Sequence, residues 1–157
     1  MRVVEAGSDL VEREVRHFLG GDEIGRLEVV DQVRLATGFL RLDQNGHEQG
    51  YNTNARPLQY DESNNKNMTH AIKVSDLPVA NVSGVEYAQL VLDVNEPAWQ
   101  PMISLDALQI FVSSNAKLND YNARKDTLDG LKAVYNMDTT GNRWVTLPGA
   151  SPKALIL

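Results

Sequence analysis

Residues 85–94 read Val85-Glu86-Tyr87-Ala88-Gln89-Leu90-Val91-Leu92-Asp93-Val94. Leu90, Leu92 and Val94 share one side of an extended chain, so the run predicts a single long strand. Glu96-Pro97-Ala98-Trp99-Gln100-Pro101 follows. Two prolines there remove ladder donors and predict a loop. Ile103-Ser104-Leu105-Asp106 and Leu108-Gln109-Ile110-Phe111-Val112 read as further strand, with a phase shift between Leu105 and Leu108 of the kind a β-bulge gives. Residues 113–129 are polar and loop-like. Ala133–Met137 and Arg143–Leu147 are strand-like, and Asp138-Thr139-Thr140-Gly141-Asn142 between them reads as a hairpin turn. The chain closes on Ala154-Leu155-Ile156-Leu157, an apolar strand-like end that fills a sheet edge, docks on a neighbouring copy or marks a chain cut short.

Toward the N-terminus the same alternation recurs. Leu40 and Leu42 fall on one face of 38–43, Gln44-Asn45-Gly46 is a favoured turn, and Gly50–Thr53 reads as the return strand of a hairpin. Asp61–Asn67 is a polar loop. His70–Val74 reads as a strand with Ile72 and Val74 inward, broken by Asp76-Leu77-Pro78. Residues 1–34 differ: they hold 8 acids and 5 Arg with no Lys. Within them, Leu10, Val11, Val15, Phe18 and Leu19 have near-helical spacing, stopped by Gly20-Gly21; an imperfectly alternating strand over Glu12–Phe18 is the other reading, and the helix is preferred.

Short strands between Gly-, Asn- and Pro-rich loops, with no regular strand-then-helix alternation, predict a mainly β fold. The expectation is an antiparallel β-sandwich, jelly-roll-like, with a short N-terminal helix. It divides the chain into a charged segment, 1–34, and a sandwich domain, 35–157.

Composition narrows the function classes. The 157 residues suffice for one core, and no apolar run approaches the ~20 residues of a membrane span. A net charge of −6 argues against nucleic acid as a partner. The absence of Cys excludes disulfides and thiol chemistry. Met1–Gly7 shows no basic region leading into an apolar one, so no secretory signal is visible there.

Five stretches carry a family resemblance. They are His47-Glu48-Gln49-Gly50-Tyr51-Asn52-Thr53-Asn54-Ala55-Arg56-Pro57-Leu58-Gln59-Tyr60-Asp61, the pair Leu90–Glu96 and Ile103–Phe111, and Leu131–Asp138 with Asn142–Val145. In order and spacing, over roughly residues 35–147, they resemble a segment of secreted bacterial proteins of the PEP-CTERM type, sorted by exosortases. The resemblance implies an extracellular β-sandwich with no established activity. The chain departs from that family in showing neither a signal peptide nor a Pro-Glu-Pro tail.

Site chemistry is sparse. His17, His47 and His70 are the only histidines, and no Gly-x-Ser-x-Gly elbow places a nucleophile. No carboxylate pair stands out among 21 acids, so a hydrolase ranks last. Calcium takes clustered oxygens, and three places offer them. One is Asp93, Asn95 and Glu96 at a strand end. Another is Asp138 and Asn142 about a turn, and the third is the turn Asp43-Gln44-Asn45-Gly46, which does not match the EF-hand spacing; solvated turns have the same composition. Trp99 with Tyr51 is the candidate sugar-stacking pair, Trp99 lying in a proline-bounded loop where it stacks a pyranose ring or lids the core. Trp144, alternating with Val145, reads as core. The leading expectation is a non-enzymatic extracellular structural or adhesive protein that self-associates or contacts other surface proteins. The second is a polysaccharide-binding module with a calcium site.

Overall fold

The computed structural model describes residues 38–44, 46–92, 102–148 and 153–156. The expected helix at 9–19 and the loop carrying Trp99 lie outside them. Among the described residues the fold is mainly β. Its regular elements are one 3-10 turn, Val74–Asp76, and ten strands. These are β1 (Val79–Val82), β2 (Val85–Leu92), β3 (Met102–Leu105), β4 (Gln109–Ile110) and β5 (Tyr121–Asn122). The others are β6 (Thr127–Leu128), β7 (Leu131–Lys132), β8 (Tyr135–Asn136), β9 (Val145–Pro148) and β10 (Lys153–Ile156).

Two compact units emerge. The larger contains 38–76 and 104–146 of the described residues; the smaller contains 77–92 with the strand ends at 102–103 and 147–148 and with β10. In the smaller unit β2 is the central strand of a β1–β2–β10 sheet, antiparallel to both neighbours. Val79 faces Ala88 and Val82 faces Val85 across one side. Lys153 faces Leu92 and Ile156 faces Gln89 across the other. The apolar tail therefore fills an edge of this sheet. A two-residue turn joins β1 to β2. Ser83 (φ 53°) and Gly84 (φ 88°) both take the left-handed conformation that tight hairpins need.

In the larger unit the ladders are short. β5, β6 and β7 form an antiparallel meander, closed between β6 and β7 by Asp129 (φ 48°) and Gly130 (φ 78°). β4 pairs antiparallel with β8, Gln109 opposite Asn136 and Ile110 opposite Tyr135. β3 pairs with β9. The phase shift between Leu105 and Leu108 is thus no bulge within one strand. It separates two strands that have different partners. Nor is 138–142 a hairpin turn: the strands on either side, β8 and β9, pair with β4 and β3 and not with each other.

Two further expectations are corrected. The return partner of 41–43 is 61–63 rather than 50–53. Leu42 bridges Glu62, Asp43 N–H donates to the Asp61 carbonyl and Ser63 N–H to that of Arg41. And 70–74 is not a strand: Val74 begins the 3-10 turn and is half exposed rather than inward.

The core of this unit is Tyr51, Phe111, Leu118, Tyr121 and Leu128, with Tyr60 and Ala133 packed against it. Its aromatic pairs, Tyr51–Tyr60 and Phe111–Tyr121, meet edge to face with centroids 6.2 Å apart. Consecutive Leu108 and Gln109 are both buried, as are Thr127 and Leu128, so these strands are covered on both faces.

Candidate functional site

Polar side chains are buried beside that core: Asn52, Thr53, Glu62, Thr69, Gln109 and Thr127. Buried polar groups are costly unless bonded. Most of these lie on or around residues 50–56, an irregular segment outside the strands, several of whose backbone groups bond side chains.

Glu62 is the clearest case. Its Oε1 accepts from Tyr51 N–H at 3.0 Å and its Oε2 from Tyr60 N–H at 2.8 Å. Such bonds to a carboxylate are roughly twice as strong as neutral ones. Gly50 makes the approach possible. A Cβ there would lie 2.6 Å from Glu62 Cγ and 2.5 Å from Leu42 Cδ2. Thr53 Oγ1 donates to the Leu118 carbonyl at 2.6 Å and accepts from Ala55 N–H at 3.0 Å. Asn54 N–H donates to the Ala116 carbonyl, and Asn54 Oδ1 accepts from Ala71 N–H. Asn52 Nδ2 donates to the His70 carbonyl.

Arg56 fixes the same segment. Its Nη1 donates to the Thr53 and Ala55 carbonyls and its Nη2 to that of Thr69, 2.9 Å away. Gln59 acts as a strand substitute. Its side-chain amide accepts from Tyr121 N–H at 2.9 Å and donates to the Tyr121 carbonyl at 3.1 Å. Tyr51 Oη donates to the same Gln59 Oε1 at 2.7 Å. Arg56 Nε, Thr69 Oγ1 and His70 Nδ1 are sealed from solvent without a bonding partner.

These placements decide what Tyr51 can do. The residue is fully buried, and burial, then the Glu62 carboxylate, pushes its phenol well above the ordinary 10.0. It presents no ring face to solvent. Its proposed companion Trp99 lies outside the described residues, as do Asp93, Asn95 and Glu96.

Asp138 and Asn142 are both placed. Asp138 Oδ1 accepts from Arg143 N–H at 2.7 Å, and Asn136 Oδ1 accepts from Asp138 N–H at 3.0 Å. The carboxylate thus closes the turn between β8 and β9. Asn142 is exposed. Arg143 Nη2 bonds Thr140 Oγ1. Burial raises the Tyr135 phenol, with Arg143 opposing and Asp138 reinforcing the shift. Among the described residues no three His, Asp or Glu side chains gather as a metal site.

Trp144 reverses its expected role. It does alternate with Val145, but in the opposite phase: Trp144 is 61% exposed while Val145 is half-buried. The signal was present in the sequence. Trp144 shares its face with Asn142 and Thr146, both polar, whereas an inward face would carry apolar residues on either side.

No family model, curated protein or solved structure matches this chain.

Proposed function

We propose that the chain is a non-enzymatic structural or adhesive β-sandwich protein of a bacterial surface or extracellular setting, and that it self-associates. The observation supporting a structural role is the use made of its buried polar groups. Glu62, Thr53, Asn52 and Arg56 all bond backbone and hold a loop-rich body rigid. Self-association draws on the β1–β2–β10 sheet, where β1 and β10 are the outer strands among the described residues. An outer strand offers backbone groups to another chain. Light scattering over a wide concentration range tests this. Oligomers that dissociate on dilution are expected; a strict monomer throughout overturns the self-association. The extracellular setting is supported by the PEP-CTERM resemblance and is tested by locating the protein in fractionated cells and culture medium.

A second reading, polysaccharide binding, is favoured by the exposure of Trp144. Its calcium version engages Asp93, Asn95 and Glu96, or Asp138 and Asn142. Calorimetric titration with Ca2+ tests it: saturable heat lost in Asp93→Ala or Asp138→Ala supports it, and no heat removes it.

A further inference from the structure

We propose that the outward face of residues 142–146 is a saccharide-stacking surface, with Trp144 as the ring platform and Asn142 and Thr146 as its hydrogen-bonding flanks. This rests on the polysaccharide-binding reading and relocates its aromatic residue from Trp99 and Tyr51 to Trp144.

The local pattern is regular. From 142 to 146, exposed and half-buried residues alternate: Asn142, Trp144 and Thr146 are out, Arg143 and Val145 are in. In extended chain, residues two apart stand on one face at about 6.6 Å. One face therefore carries amide, indole and hydroxyl in a row. Arg143, next to Trp144, is tied back. Arg143 N–H is bonded by Asp138 Oδ1, and Arg143 Nη2 by Thr140 Oγ1. That anchoring fixes which way the row points before any ligand arrives, and so reduces the ordering cost of binding.

The chemistry selects the occupant. Trp is usually highly buried, and exposing this much indole leaves a large apolar surface in water. A protein partner would match it with a contiguous apolar patch. Here both same-face neighbours are polar. A pyranose ring fits better, because its C–H face stacks on the indole while its equatorial hydroxyls reach an amide and a hydroxyl. The row carries no charge, which suits a neutral glycan such as a β-glucan or chitin chain.

The test uses the whole chain and its two Trp. Trp99→Phe leaves Trp144 as the single indole emitter, and Trp144→Phe leaves Trp99. Laminarin, hydroxyethyl cellulose and chitohexaose are titrated against both variants and against Trp144→Ala. Saturable emission change in Trp99→Phe, at least tenfold weaker affinity in Trp144→Ala, and a smaller loss in Asn142→Ala are expected. Circular dichroism and Tm of Trp144→Ala should match the parent, since the side chain is exposed. Binding that survives Trp144→Ala within twofold overturns the inference and leaves the saccharide reading standing. No binding of any of the three glycans by the parent overturns both. So does self-association that Trp144→Ala abolishes without glycan binding, which would make the row a contact between copies.

Discussion

The β1–β2–β10 sheet and the body formed by 38–76 and 104–146 satisfy their backbones by different means. In the sheet, β2 bonds a four-residue partner on each side, and main chain answers main chain. In the body the ladders β4–β8, β5–β6 and β6–β7 are two residues each, and side chains supply what is missing. Gln59 imitates a strand against Tyr121, Glu62 caps two amides, and Arg56 and Thr53 collect carbonyls. A ladder tolerates substitution because any residue brings the same N–H and C=O. A side-chain framework does not, because each bond depends on one residue type. Core and framework substitutions in the body should therefore cost far more than face substitutions in the sheet.

Glu62→Ala is the strongest way to break that contrast. It strands the buried amide of Tyr51 and the part-buried amide of Tyr60, and each costs about 1–3 kcal/mol. Urea unfolding should show a loss of about 4 kcal/mol. Glu62→Gln, which keeps one carbonyl acceptor, should lose about half as much. A loss under 1 kcal/mol for Glu62→Ala would mean that water reaches these amides and the framework is dispensable.

Gly50→Ala comes next. The added methyl meets Glu62 Cγ, in the middle of a side chain pinned at both oxygens, as well as the freer end of Leu42. Overpacking of this kind costs about 1–3 kcal/mol. In the Glu62→Ala background the clash with Glu62 disappears, so the two losses should be markedly less than additive. Additive losses would show that Gly50 is needed for another reason.

What the sequence made legible follows the same division. The strand at 85–94 was readable because alternation reports a ladder-bearing strand, and the observed β2 covers 85–92. The tail was read as an apolar, strand-like end with edge filling as one of its uses, and β10 covers 153–156. β1 was not expected because Pro78 suggested a break. Yet Ser83-Gly84 was a usable hairpin signal, as was Asp129-Gly130 at the end of a stretch read as loop. Residues 50–56 could not be read as an irregular hub, since nothing local says that Glu62 and Gln59 will fold back onto Tyr51 and Tyr121. At the candidate site the alternation about Trp144 was read correctly and its phase was not. A large aromatic was assigned inward by type, and the polar neighbours at Asn142 and Thr146 argued the other way.

A pH test separates the two regions without changing their packing. Burial raises the Tyr51 phenol above its ordinary 10.0, so the native state holds this proton more tightly than the unfolded chain. The sign follows: this stabilisation is complete below pH 10 and is lost as pH rises above it. The slope is about 1.4 kcal/mol per pH unit for the one group. Tyr51→Phe removes one ionisable group and the bond to Gln59, worth about 1 kcal/mol at neutral pH. The variant should therefore be less stable than the parent at pH 7 and should lose less stability between pH 10 and 11. Parallel profiles for the two proteins would show that Tyr51 ionises freely and is not sealed in the core.

Val79→Thr is the smallest effect and the most direct check on the sheet. Val79 is 62% exposed and sits opposite Ala88 at the start of β1. Threonine is also β-branched and keeps the strand preference, and the ladder bonds are untouched. A surface change away from special features falls within about 0.5 kcal/mol. Measured on dilute protein, the substitution should be silent. Measured at high concentration it acquires meaning, because a hydroxyl buried in a contact between copies lacks a partner. A loss confined to concentrated protein would place Val79 in the self-associating surface. A loss at every concentration would instead show that this face of β1 is packed within the chain, and the contrast between a tolerant sheet and an exacting body would fail at its tolerant end.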